Sequence, residues 1–158
     1  MTVHIDRIDR AIVDLLIEDG RMSSREIAQR LGGPTERTIR NRLDRLIRDR
    51  VIRVTAVVDP ASLGMPVTAD VFVEVEPGRI MAVAHQIAEF DCVTYVACST
   101  GASDISLQLV AEDNATLYRF VTEVIAAVPG VRKTTTVLLP IIVKDDNQWS
   151  IPIGKCAE

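Results

Sequence analysis

Apolar residues recur at helical spacing through the first 50 positions and at strand spacing after them. Ile5, Ile8, Ile12, Leu15 and Leu16, with Val13 at the edge, trace one stripe that Asp19-Gly20 ends; this predicts a helix over 5–18. Ser23-Ser24-Arg25-Glu26 has the form of a capping box, so a second, short helix is expected to about Leu31, burying Ile27, Ala28 and Leu31. Gly32-Gly33-Pro34 stops it, because glycine permits a left-handed exit and proline suits the first turn of the next helix. A third helix is predicted up to about Asp49, with Ile39, Leu43, Leu46 and Ile47 on one side and Arg37, Thr38, Asn41, Asp44, Arg45 and Arg48 on the other. Three short helices with a tight glycine turn before the last form a helix-turn-helix pattern.

The period then changes. Val51 to Val58 reads as a strand, and Asp59 to Pro66 as a hinge. From Val67 to Val75 valine and alanine alternate with Thr68, Asp70, Phe72 and Glu74, a strand with one buried face. A helix carrying Ile80, Val83, Ala84 and Ile87 follows, then strands from Cys92 to Ser99 and through Ile105, Leu107 and Leu109. Asp113 or Asn114 caps a helix with Leu117, Phe120, Val121, Val124 and Ile125, and the last strand runs from Val131 to Val143. The order β-α-β-β-α-β is that of a ferredoxin-like domain. The class is therefore α+β: a helix-turn-helix domain at 1–50, a linker strand and hinge at 51–66, a ferredoxin-like domain at 67–143 and a tail at 144–158. From Val137 to Val143 both faces of the last strand are apolar except at Pro140, and a second copy of the sheet is the simplest cover for the face that the domain's own helices leave open. A homodimer is expected.

Charge sharpens the division. The chain carries −4 overall, yet residues 1–58 hold 12 arginines against 9 acids while the remainder holds 6 basic and 13 acidic groups. A basic segment joined to an acidic body suits a small part that faces nucleic acid. Six arginines fall between Thr35 and Arg50. On the third helix, Arg37, Thr38 and Asn41 lie near the start of the outer face, where they would meet base edges; arginine pairs with guanine and asparagine with adenine in a bidentate way. Arg45 and Arg48, further along, suit phosphate. Arg40 and Arg42 flank the apolar stripe and would touch phosphate or pair with Glu36 or acids elsewhere. The competing reading is a solvated face with ion pairs such as Arg40–Asp44 or Arg45–Asp49.

Other chemistry is sparse. No apolar run approaches the roughly 20 residues of a membrane span, and the first residues have no apolar leader. Three cysteines, Cys92, Cys98 and Cys156, without metal spacing fit a reducing cytoplasm; a regular strand would put Cys92 and Cys98 on one face. His4 and His85 are the only histidines and have no nucleophile or acid at telling spacing, so no enzyme, metal or cofactor is expected. Thr100-Gly101-Ala102-Ser103-Asp104 joins two strands and reads, in isolation, as a tight turn whose aspartate satisfies backbone N–H groups.

These stretches, in order, resemble the Lrp/AsnC family, the feast/famine transcriptional regulators. The resemblance is carried by Ile5-Asp6-Arg7-Ile8-Asp9-Arg10-Ala11-Ile12, Asp19-Gly20-Arg21, Glu26-Ile27-Ala28, Arg40-Asn41-Arg42-Leu43-Asp44-Arg45-Leu46, Val51-Ile52, Thr100 to Asp104 and Pro129-Gly130-Val131. It implies a winged-type helix-turn-helix, a linker strand, and a C-terminal effector and assembly domain. It further implies dimers that assemble onward, often to octamers, a roughly palindromic double-stranded operator, and an amino-acid effector held between subunits. On that reading Thr100, Gly101, Ala102 and Ser103 offer backbone groups to a carboxylate, Asp104 offers an anion to an ammonium, and Thr134 and Thr136 add hydroxyls from the last strand. Gly32-Gly33-Pro34-Thr35 departs from the family's usual Gly-hydrophobic-Ser entry to the recognition helix. An architectural DNA-binding protein that assembles without a ligand is the alternative; a footprint covering random DNA uniformly would favour it.

Overall fold

A computed structural model describes residues 3–145 and 149–157, so residues 146–148 and 158 of the expected tail lie outside the described residues. The chain divides into two compact units, residues 1–57 with 143–158 and residues 58–142.

The first unit holds α1 (Arg7–Glu18), α2 (Ser24–Leu31) and α3 (Glu36–Arg48). Each begins on a capping side chain. Asp6 accepts from the N–H groups of Ile8 and Asp9 while Asp9 accepts from the Asp6 N–H, a reciprocal box that the sequence reading overlooked. Ser23 and Glu26 form the expected box on α2. Thr35 caps α3 by accepting from the Thr38 N–H at 3.2 Å, and Gly32 leaves α2 at φ 67°, a left-handed exit that favours glycine. Ile12, Met22, Ile27 and Ile39 pack into one core cluster. Ile5, Val13 and Leu46 form a second, closed by Val51, Ile52, Ile151 and Cys156.

That second cluster corrects the reading of 144–158 as a separate tail. Ala157 N–H donates to the Ile5 carbonyl at 2.7 Å, Arg10 Nε donates to the Ile151 carbonyl at 2.8 Å, and the Ser150 hydroxyl donates to Asp14. The signal was weak in sequence because a segment that packs through two or three scattered side chains has no period. Residues 51–58, expected as a strand, have no ladder partner among the described residues. Their β-branched composition favours extension, but a strand also needs a neighbour to accept its hydrogen bonds.

The second unit contains β1 (Val67–Val75), α4 (Ile80–Ala88), β2 (Val93–Cys98), β3 (Ile105–Ala111), α5 (Asn114–Arg119) continuing into a π-helical turn (Phe120–Ile125), and β4 (Val131–Leu138). The antiparallel sheet has the order β2-β3-β1-β4, which is the ferredoxin-like arrangement. Ala69, Val71, Val73, Ile105, Leu107 and Leu109 supply the sheet's share of the core, and Val83, Ile87, Leu117, Val121 and Ile125 supply the helices' share. Phe90 and Phe120 meet edge to face at 5.3 Å. β4 ends at Leu138, short of the expected Val143. Leu139 N–H still donates to Thr68, but Pro140 has no N–H with which to continue the ladder. The register of β2 against β3 slips between Val93 and Tyr95, and Cys92 lies in the turn before the strand; the regular alternation that would align Cys92 with Cys98 is therefore absent. All three cysteines are free.

Candidate nucleic-acid interface and effector turn

The arginines of α3 fall into two groups. Asp9 on α1 is completely buried and takes Arg42 Nη1 at 2.9 Å and Arg45 Nη2 at 2.5 Å. Arg42 Nη1 also reaches Asp6 Oδ2 at 2.6 Å. The same two aspartates thus cap α1 and tie it to α3. Burial opposes ionisation of Asp6, but the Asp9 N–H and the Arg42 guanidinium outweigh it and hold the carboxyl below the usual range. Partners in this network raise the Arg42 pKa further, led by its hydrogen bond to Asp6. Arg45, expected on the outer face, is instead half-buried, and its Nε has no hydrogen-bond partner among the described residues. The expectation went astray because Arg45 lies at the border of the apolar stripe, beside Leu46, and a long side chain there can turn inward to a buried acid.

The second group remains on the surface. Arg37 and Asn41 are exposed and carry no hydrogen bond or ion pair among the described residues. Thr38 is exposed, its hydroxyl 2.9 Å from that of Thr35. Arg40 pairs with Glu36 one turn back, and Arg48 Nε is 3.1 Å from Asp49 Oδ1; both arginines are exposed. Ile47, placed on the buried side from its spacing, is 43% exposed. Of the expected outer face Arg45 is withdrawn, and the two side chains without partners among the described residues, Arg37 and Asn41, sit in the N-terminal half of α3.

At the turn between β2 and β3, Asp104 is tied into the sheet. Its Oδ2 accepts from Val75 N–H at 2.7 Å, its own N–H donates to the Val73 carbonyl, and its carbonyl accepts from Ser99 N–H. The Ser99 hydroxyl donates to the Ser103 carbonyl at 2.9 Å. Thr100, Gly101 and Ala102 project as an exposed loop, with Gly101 at φ 135°. Thr134 and Thr136 pair with Val73 and Val71, so both lie on the helix-facing side of the sheet, Thr134 half-buried and Thr136 exposed. Val73 pairs with Ile105 on its other side, so Thr134 and the end of the turn share one row with β1 between them, about 10 Å across. Within one subunit these residues reach the same end of the sheet without touching.

A trihelical unit with a basic exposed face on its third helix, joined to a ferredoxin-like unit, defines a DNA-binding regulator with a sensing domain. Residues 5–47 match the AsnC-type helix-turn-helix domain and residues 68–149 the Lrp/AsnC ligand binding domain; the chain belongs to the Lrp/AsnC family. It is a transcriptional regulator and not an enzyme. An uncharacterized HTH-type transcriptional regulator of Pyrococcus horikoshii is 39% identical over 143 residues, covering 90% of each chain. The HTH-type transcriptional regulator FL11 of Pyrococcus abyssi is 33% identical over 140 residues, 88% of this chain and 91% of that one. Among solved structures, Escherichia coli AsnC superposes with a TM-score of 0.80 at 21% identity, over 90% of this chain and 99% of its own. A Neisseria meningitidis transcriptional regulator solved in complex with L-Met gives 0.84 at 21% identity, over 94% and 97%. No helix among the described residues is long and apolar enough to cross a membrane.

Proposed function

We propose that the protein is a sequence-specific regulator that binds a roughly palindromic double-stranded operator as a dimer or higher assembly and responds to an amino acid. The observation that supports the DNA reading is the pair of uncommitted side chains, Arg37 and Asn41, exposed on the N-terminal half of α3. Thr38 lies between them, and Arg40 and Arg48 flank them toward phosphate. Arg42 and Arg45 act by fixing α3 against α1 and leave phosphate to the exposed arginines. The test is a titration of operator and random DNA: Arg37→Ala alters sequence preference, and equal weakening on both DNAs by Arg37→Ala rejects its role as a reader.

Pairing through the sheet is supported by three large apolar side chains on the face opposite the helices: Phe72, Tyr95 and Val137, at 36, 54 and 45% exposure. Val137→Asp is expected to shift the sedimenting species toward monomer. The effector reading rests on the exposed, glycine-containing turn 100–104 beside the Thr134 row, and on the L-Met bound by the Neisseria relative. Because Asp104 is held by Val75 N–H, its role there is to shape the turn and leave its second oxygen for an ammonium. Calorimetry against the amino acids, alone and with operator DNA, tests it; no heat from any of them rejects the effector.

A further inference from the structure

Two sulfur side chains meet outside the core, where the end of β2 faces α4. Cys98 pairs with Ile105, a core residue, so its side chain leaves the sheet on the side that the helices cover. There its Sγ lies 3.6 Å from the Sδ of Met81 on α4. Both residues are exposed, Met81 at 59%, and neither belongs to the core cluster, so the contact is not core packing. His85 follows Met81 by one turn and is exposed as well, while Val83, Ala84 and Ile87 on the other side of the helix are buried. Side chains four apart on a helix stand about 5–6 Å apart at Cβ, the spacing by which two helical histidines hold one metal ion.

We propose that Met81, His85 and Cys98 bind a single cuprous ion. Two sulfurs each about 2.3 Å from one ion, the length of a metal–thiolate bond, stand about 3.6–4.0 Å apart at bond angles of about 105–120°. The observed separation falls at the lower edge of that range, so the pair can take an ion between them with little movement. A thiolate beside a thioether is a soft donor set and selects Cu(I) over harder divalent ions. Those ions have no cluster of their own: no group of three His, Cys, Asp or Glu able to hold a metal occurs among the described residues. On binding, the Cys98 thiol passes its proton to solvent as the Cu–S bond forms, and the oxidation state of the ion is unchanged. Sequence spacing hid the set, because Cys98 comes 17 residues after Met81. None of the three residues belongs to the turn at 100–104 or to the Thr134 row, so the site does not depend on the amino-acid reading.

The test uses the full-length protein, reduced and free of oxygen, with Cu(I) supplied from its coloured bicinchoninate complex. Wild type should take one ion per chain from the chelator. Iodoacetamide labelling read by mass spectrometry should then slow about tenfold at Cys98 when free Cu(I) is about ten times its dissociation constant. Cys92 and Cys156 are also free thiols and should label at unchanged rates. Zn(II) at the same concentration should leave Cys98 labelling unchanged. Met81→Leu keeps bulk and apolarity but removes the thioether, and His85→Gln removes the imidazole. Both positions are exposed, so an unchanged melting temperature should accompany each variant. Each should weaken uptake at least about tenfold, the lower end of what loss of even an outer-shell partner costs a metal site. Cys98→Ser should abolish it. No transfer from the chelator, equal slowing at all three cysteines, protection by Zn(II) that matches Cu(I), or affinity that survives both Met81→Leu and His85→Gln overturns the proposal. The last outcome would reduce the site to a lone thiolate.

Discussion

Asp9 carries two functions on one carboxylate, accepting the Asp6 N–H and two guanidinium groups while fully buried. Removing one partner of a buried pair leaves the other charge stranded, so Asp9→Asn should destabilise the first unit by about 3 kcal/mol in a urea melt. Arg42→Ala should behave similarly in stability yet leave the salt dependence of DNA binding unchanged for whatever folded protein remains. Arg48→Ala should do the reverse, lowering the salt slope by about one at little cost to the fold. Asp6 gives the pH dependence: its carboxyl is held low in the folded state, so its contribution is present above the ordinary carboxylate pKa of about 4. It is lost as pH falls through the lower folded value. Unfolding midpoints of wild type and Asp6→Asn should therefore differ most above the ordinary carboxylate pKa and converge as pH falls through the lowered folded value. The Asp6-x-x-Asp9 spacing was a readable cap, but its reach to Arg42 and Arg45 was not, because a pairing 33 to 36 residues apart depends on how two helices cross.

At the level of elements, local signals and long-range ones parted company. The caps, the glycine exit from α2 and the alternation in β1 and β3 are set by neighbours within a few residues, and all were legible. The ends of β2 and β4 were less so: the slip at Val93–Tyr95 depends on the facing strand, and the stop at Leu138 on how far β1 accompanies it. The candidate readers Arg37, Thr38 and Asn41 could be placed on a face, but only the fold revealed which other arginines of that helix are already engaged. Gly130 makes an element-level prediction. It sits at φ 106° before β4, where an added Cβ would come within 3.1 Å of Arg79 Cδ and 3.2 Å of Val83 Cγ2. Gly130→Ala should cost about 1–3 kcal/mol by thermal melt, through backbone strain and crowding against α4.

For the molecule as a whole, the first unit is built from both sequence ends of the described chain: Ile5, Val13 and Leu46 are covered by Ile151 and Cys156, and Ala157 pairs with Ile5. A chain truncated after Asp145 should keep the second unit's β-sheet signal by circular dichroism while its first unit melts at lower temperature, and should lose operator affinity with it. The ferredoxin-like unit, by contrast, is continuous in sequence from 58 to 142. During synthesis that order matters. Helices α1 to α3 leave the ribosome before the second unit, yet residues 149–157, which complete their core, leave it after the whole second unit. A nascent chain that still lacks those residues would therefore hold a second unit with its core complete and a first unit with its core still open.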